Sequence, residues 1–210
     1  MLRILFLSFL GIMLTMQLHA QQRFKAGAVI GVNASQIDGD RSAGYTKLGL
    51  VGGLQGIAIL TEKTELGLQI LYSQRGSQSA FNQNNANFPF KIRINYIEVP
   101  VLYTYKDWLF EGKDGDYYKV HIHGGLSYGR LFETEIEDES LTSPLVQLGD
   151  EFNEDDISIV LGATYFANEH FGFTVRWSRS LNLLYRNEST NLNARSMRGK
   201  FITFTMAYIL

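Results

Sequence analysis

The chain has 210 residues, no cysteine and a formal net charge of −2. That length holds one domain. The slight acidity excludes a nucleic-acid binder driven by bulk charge, and the missing thiols exclude structural disulfides and a lipid-acceptor cysteine.

Residues 1–20 read as a secretory signal peptide: Arg3, an apolar run from Ile4 to Met16, then Leu18-His19-Ala20 before a cut at Gln21. The run is shorter than the roughly 20 apolar residues a spanning helix needs. Loss of Arg3 moves the net charge from −2 to −3 in a mature chain of residues 21–210. No later stretch suits a helical span.

From there on the dominant period is two. Phe24, Ala26, Ala28, Ile30 and Val32 alternate with Lys25, Gly27, Val29, Gly31 and Asn33. The same alternation recurs at Glu65–Ser73, Tyr118–Gly129, Phe171–Ser178 and Ile202–Leu210. Period two marks strands half apolar and half polar. Strands are predicted at about 23–35, 46–60, 64–76, 91–106, 117–132, 156–167, 170–181 and 198–210. Most are longer than the five or six residues typical of soluble proteins, and each suits a tilted crossing of a bilayer, for which about 9–11 residues suffice.

The connections alternate in length. Thr61-Glu62-Lys63 and Asn168-Glu169 are tight turns, whereas 36–45, 77–90, 133–155 and 182–197 are long and polar. Transmembrane barrels combine short periplasmic turns with long external loops, which places both termini in the periplasm. The connection 107–116 breaks this rule by its length, although Lys113-Asp114-Gly115-Asp116 is a turn signal. Residues 82–87 form an Asn-rich polar tract; 133–156 hold ten of the 21 acidic residues and no Lys or Arg; Arg186, Arg195 and Arg198 mark the last long loop.

Residue type assigns the two faces. One carries Lys25, Glu65, Glu98, Lys119, His121, His123 and Arg176 together with Gly27, Gly31, Gly67, Gly125 and Gly129. Facing lipid, each charge would cost about 2–4 kcal/mol near the midplane, so these seven are predicted to form a structural ion-pair network in a narrow lumen. The other face is bulky, with Tyr72, Tyr103, Tyr105, Trp108, Tyr128, Trp177 and Tyr208 toward its ends, as in interfacial girdles. The fold class is therefore all-β: an eight-stranded antiparallel up-and-down transmembrane β-barrel in the outer membrane. The alternative is a soluble lipocalin-like barrel.

Several segments resemble the PorT family of outer-membrane β-barrels: Gly31–Asp40 with Gly44-Tyr45 and Leu48-Gly49, Leu71-Tyr72-Ser73-Gln74-Arg75-Gly76, Asn95–Tyr103, and Arg176-Trp177-Ser178-Arg179-Ser180-Leu181. The resemblance spans nearly the whole mature chain and implies the barrel topology, with a link to protein secretion carried by the family name. Ser180 stands where the family often has Gly. Ile202, Phe204, Met206, Tyr208 and Leu210 are similar to a terminal signal read by the barrel-assembly machinery, with Leu210 where an aromatic is usual.

Candidate chemistry is sparse. Pro100 cannot donate to a ladder and predicts a bulge or local distortion. Glu98 beside it is expected to pair with Lys25, Lys119 or Arg176, because an unpaired buried carboxylate would destabilise the barrel. His121 and His123, two apart on one face, could hold a metal, or with Ser127 could suggest a lipid-modifying enzyme. No orienting acid or oxyanion site accompanies them. The stretch 150–156 has oxygen ligands without the EF-hand pattern. No catalytic, metal or cofactor site is assigned. The expected partners are outer-membrane lipid, the assembly machinery and envelope or secretion proteins. A structural or docking barrel leads; a narrow porin-like channel is second, since eight strands leave an interior just wide enough for side chains; a lipid-modifying enzyme is third.

Overall fold

The computed structural model describes residues 23–38, 45, 47–78, 90–112, 115–138, 153–182 and 198–210. The segment expected to be a signal peptide, the Asn-rich tract, Arg186 and Arg195 lie outside the described residues.

Eight strands follow in chain order: β1 (Phe24–Asp38), β2 (Lys47–Ile59), β3 (Thr64–Gln78), β4 (Phe90–Glu111), β5 (Asp116–Asp138), β6 (Asp155–Phe166), β7 (Phe171–Ser180) and β8 (Arg198–Ile209). Each pairs antiparallel with its neighbour, and β8 pairs with β1 from Gly27↔Ile209 to Asp38↔Arg198, closing the barrel. Closure leaves no unpaired edge, which is what a sheet in hydrocarbon requires. No described helix is long and apolar enough to cross a membrane.

The turns at one end are built by local side chains. Thr61 Oγ1 accepts from the Lys63 and Thr64 amides, and Asn168 Oδ1 accepts from those of His170 and Phe171. These side chains take up amides that the ladders leave free, which is why Thr and Asn suit turns. The third turn corrects the expectation for 107–116. β4 runs on to Glu111 and β5 starts at Asp116, so four residues connect them, and Gly115 takes the left-handed φ of 140°. The extra length is strand interrupted at Trp108, which has a φ of 61°. Side chains normally avoid that region, so the alternation fails there and the segment reads as loop.

At the opposite end the strands also outrun their predicted limits. β5 continues to Asp138, paired with Phe90. Its acidic residues mimic a loop in composition, but Arg93 of β4 forms an ion pair with Glu135 across the ladder. Phe132 is an extra residue: Asn95 pairs with Glu133 and Tyr96 with Leu131. This bulge, rather than Pro100, shifts the register. Beside Pro100 the β3–β4 ladder passes from Leu68↔Val101 to Leu71↔Glu98 with no pair between and no shift.

The barrel reverses the usual order of inside and outside. Ile30, Leu54, Ile70, Ile122, Leu126, Leu161, Phe173 and Phe204 stand exposed on the outer face, whereas Asn33, Ser73, Arg75, Glu98, Ser127 and Asp156 are buried inside. Water-soluble proteins bury the first group and expose charges, so the outer solvent is hydrocarbon. Aromatic residues ring both margins. Tyr72 and Phe132 meet near the loop end with ring centroids 6.1 Å apart, and Phe171 and Tyr208 near the turn end at 4.9 Å. Amphipathic rings favour the headgroup level.

Glycine allows side chains to share this narrow interior. A Cβ on Gly125 would strike the Val101 carbonyl oxygen of the adjacent strand. Ile70→Arg, on the outer face, is expected to lower unfolding stability by about 2–4 kcal/mol if it lies near the midplane. Urea unfolding in lipid vesicles checks this, and an unchanged midpoint contradicts the lipid-facing assignment.

Candidate functional site: the divided lumen

The lumen holds its ionisable groups in two levels. Nearer the loop end, Arg75 of β3 reaches Glu98 of β4 and Asp156 of β6, each at 2.7 Å. All three are deeply buried, at 4%, 6% and 1% exposure. Serines add to the shell: Ser73 Oγ accepts from Arg75 Nε at 3.2 Å, Ser127 donates to Glu98 at 2.8 Å, and Ser158 donates to Asp156 at 2.9 Å. The guanidinium lies over the Phe201 ring at 3.9 Å and faces Tyr96 at 5.0 Å. A planar cation with five donors suits this mixture of carboxylates and rings better than an ammonium does.

Neutral hydrogen bonds continue the layer toward the barrel seam. Asn33 of β1 donates to Ser73 at 3.0 Å and accepts from Thr203 of β8 at 2.7 Å. Ser35 donates to the Gly76 carbonyl at 2.9 Å. Val29, Val51, Leu71 and Ala207 form a small apolar cluster below it. All of these side chains are buried.

The level nearer the turn end is looser. Arg176 of β7 donates to Gln69 at 3.0 Å, and Gln69 donates to Gln55 at 3.0 Å. Lys106 bonds Glu65 at 2.8 Å. A cavity of about 60 Å³ lies between these groups, lined by Gln55, Gln69, His121, His123, Thr174 and Arg176 among others. A second cavity of about 170 Å³ adjoins it toward the turn end and includes Lys25, Lys106, Asp116 and Glu169. Glu65, His121, Phe166, Ile57 and Ile209 border both.

Of the seven charged or imidazole residues singled out from sequence, all lie on strands, but the pairing differs from expectation. Glu98 pairs with Arg75, not with Lys25, Lys119 or Arg176. Glu65 takes Lys106. Lys119 packs over Phe110 at 3.8 Å and Trp108 at 5.7 Å, away from any ion pair among the described residues. His121 meets the Tyr118 carbonyl at 3.2 Å and stacks near Phe166 at 4.4 Å. Reading the sequence missed Arg75, Asp156 and Lys106, although each extends the inward alternation of its strand by two residues.

Ser127 gives its proton to Glu98 rather than to an imidazole. Among the described residues no group of three or more His, Asp or Glu could hold a metal ion. Of the acidic stretch 150–156, Glu154 and Asp155 pair with Arg130 and Asp156 with Arg75; residues 150–152 lie outside the described residues. The outward side chains of β8 include Phe204, Met206 and Tyr208, and Leu210 just beyond it is exposed as well.

A family model described as "Outer membrane protein beta-barrel domain" matches residues 17–186, which takes in β1 to β7. No curated relative matches the chain significantly. Solved structures with similar folds include Ail, the attachment invasion locus protein of Yersinia pestis, at 11% identity and a TM-score of 0.48, covering 90% of this chain and 100% of that one. Outer Membrane Protein W of E. coli aligns at 12% identity and a TM-score of 0.40, covering 91% and 100%. Neisserial surface protein A aligns at 8% identity and 0.44, covering 89% and 97%.

Removing one member of the buried triad strands the others. Arg75→Ala is expected to cost about 3–5 kcal/mol, the usual loss when one side of a buried ion pair is deleted. Adding Glu98→Gln and Asp156→Asn should recover a large part of it. Urea unfolding of the single and triple variants checks this; equal losses in both would contradict a charge-coupled plug.

Proposed function

The chain belongs to the outer-membrane protein β-barrel domain family, and on that premise we propose that it is a non-enzymatic envelope barrel that docks partners through its loop end and conducts no solute. The observation that carries this reading is the buried, mutually contacting layer of Arg75, Glu98, Asp156, Tyr96 and Phe201. A pore needs a continuous wet path, and buried, mutually bonded charges close it. Structural work inside the barrel leaves the surface outside it for function.

The termini and tight turns are assigned to the periplasm and the long loops to the exterior, following the short-turn, long-loop asymmetry of such barrels. The outward β8 residues Ile202, Phe204, Met206 and Tyr208, with Leu210 just beyond the strand, would be read by the barrel-assembly machinery during insertion. The PorT-like segments add an analogy to protein secretion, so envelope or secretion proteins are the proposed partners. That part rests on likeness of fold and motif, which does not by itself carry function.

A narrow porin-like channel is the second reading, favoured by the hollow turn-end half of the lumen. Planar-bilayer recording of the purified chain separates the two. The plugged barrel should give no stable stepwise current under an applied voltage. Reproducible unitary steps would overturn the proposal and establish the channel.

A further inference from the structure

His123, Gly162 and Arg176 form one cross-strand row in the lumen: His123 pairs with Gly162 across β5 and β6, and Gly162 with Arg176 across β6 and β7. Gly162 brings no side chain to this row, and His123 leans into the space. A Cβ added there would meet the His123 Nε2 and press on the Arg176 Cα at 3.1 Å. Both flanking residues are 6% exposed, and both line the 60 Å³ cavity.

Two buried nitrogens at this site have no hydrogen-bond partner: His123 Nε2 and Arg176 Nε. Native interiors rarely leave such groups unmet. Arg75 contacts two carboxylates, but Arg176 contacts none within ion-pair distance among the described residues; it donates to the neutral Gln69. Glu98 acts on it only from farther away, while bonded to Arg75 and Ser127. A buried cation without a contacting anion is costly.

We propose that this row binds a small monovalent anion of halide size. Arg176 Nε–H and the Nε2–H tautomer of His123 donate to it, with the hydroxyls of Thr174 and Thr205 at the cavity wall. A cavity of about 60 Å³ has room for a halide with water beside it, since about 10–15 Å³ of such space suffices for one water. The acceptors in the wall are already engaged: Glu65 by Lys106 and the Gln69 carbonyl by Arg176. Entry is from the turn end, through the adjoining cavity. There Lys25 and Lys106 face Asp116, Glu65 and Glu169, so the mouth is mixed in charge and does not repel an anion as a purely acidic one would.

The test uses the full barrel folded in detergent and dialysed into sodium gluconate. Sodium bromide is then titrated while the imidazole nitrogens are followed by NMR, with sodium gluconate at equal ionic strength as the control. A saturable shift confined to the His123 signals is expected with bromide and not with gluconate. Arg176→Gln should weaken the response at least tenfold while the heat-modifiable electrophoretic shift still reports a closed barrel. Bromide-soaked crystals of the unsubstituted chain, which need no folded variant, should show an anomalous peak beside Arg176 Nε. Equal responses to bromide and gluconate, an unchanged response in a folded Arg176→Gln barrel, or a cavity containing water alone would each overturn the proposal.

Discussion

The structure depends on one constraint: ionisable groups that hydrocarbon rejects must neutralise each other inside a barrel only wide enough for side chains. Arg75 meets this constraint by taking Glu98 and Asp156 at once, each at 2.7 Å. Those three residues come from β3, β4 and β6. The Arg75–Glu98 bond joins the ladder neighbours β3 and β4, whereas the Arg75–Asp156 bond ties β3 to β6, with which it shares no ladder. Serines at 73, 127 and 158 supply further bonds, and Phe201 and Tyr96 flank the guanidinium. In so low a dielectric each such bond offsets part of the cost of holding charges away from water; Asp156 Oδ1 and the Tyr96 hydroxyl are left without a partner.

The lumen is divided as a result. Above the Val29, Val51, Leu71 and Ala207 cluster it is closed; below it, Lys25, Glu65, Lys106, His121, His123 and Arg176 surround cavities. Different residues suit these roles. The buried layer uses short serines and a planar cation. The hollow half uses glycine and threonine between its charged groups, and Gly162 is the clearest case, since its missing Cβ is where His123 leans.

Much of this was legible in the sequence for a simple reason: strand alternation is local, and outward apolar residues differ in type from inward charged ones. The eight strands, the tight turns at Thr61–Lys63 and Asn168–Glu169, and the inward placement of Glu65, Glu98 and Arg176 all follow from period two. The ion-pair partners did not follow. Pairing across the axis depends on register and on which strands face each other, and neither is written in a single strand. Arg75 sat inside a motif and Asp156 at the edge of an acidic run, so composition drew attention away from their phase. Two irregular residues misled in the same way: Trp108, with its positive φ, hid the ends of β4 and β5, and the extra residue Phe132 disguised strand as acidic loop.

In the plugged-barrel reading the Arg75 level seals the lumen, while the level nearer the turns remains open to water. The chain contains no cysteine, so single thiols can be introduced without background. Thr104→Cys lies in the wall of the hollow half, and Ser158→Cys lies within the plug, where the native side chain is fully buried. A small water-soluble methanethiosulfonate applied to the folded barrel should label Thr104→Cys readily and Ser158→Cys only after denaturation. Comparable labelling of both in the folded state would contradict the account.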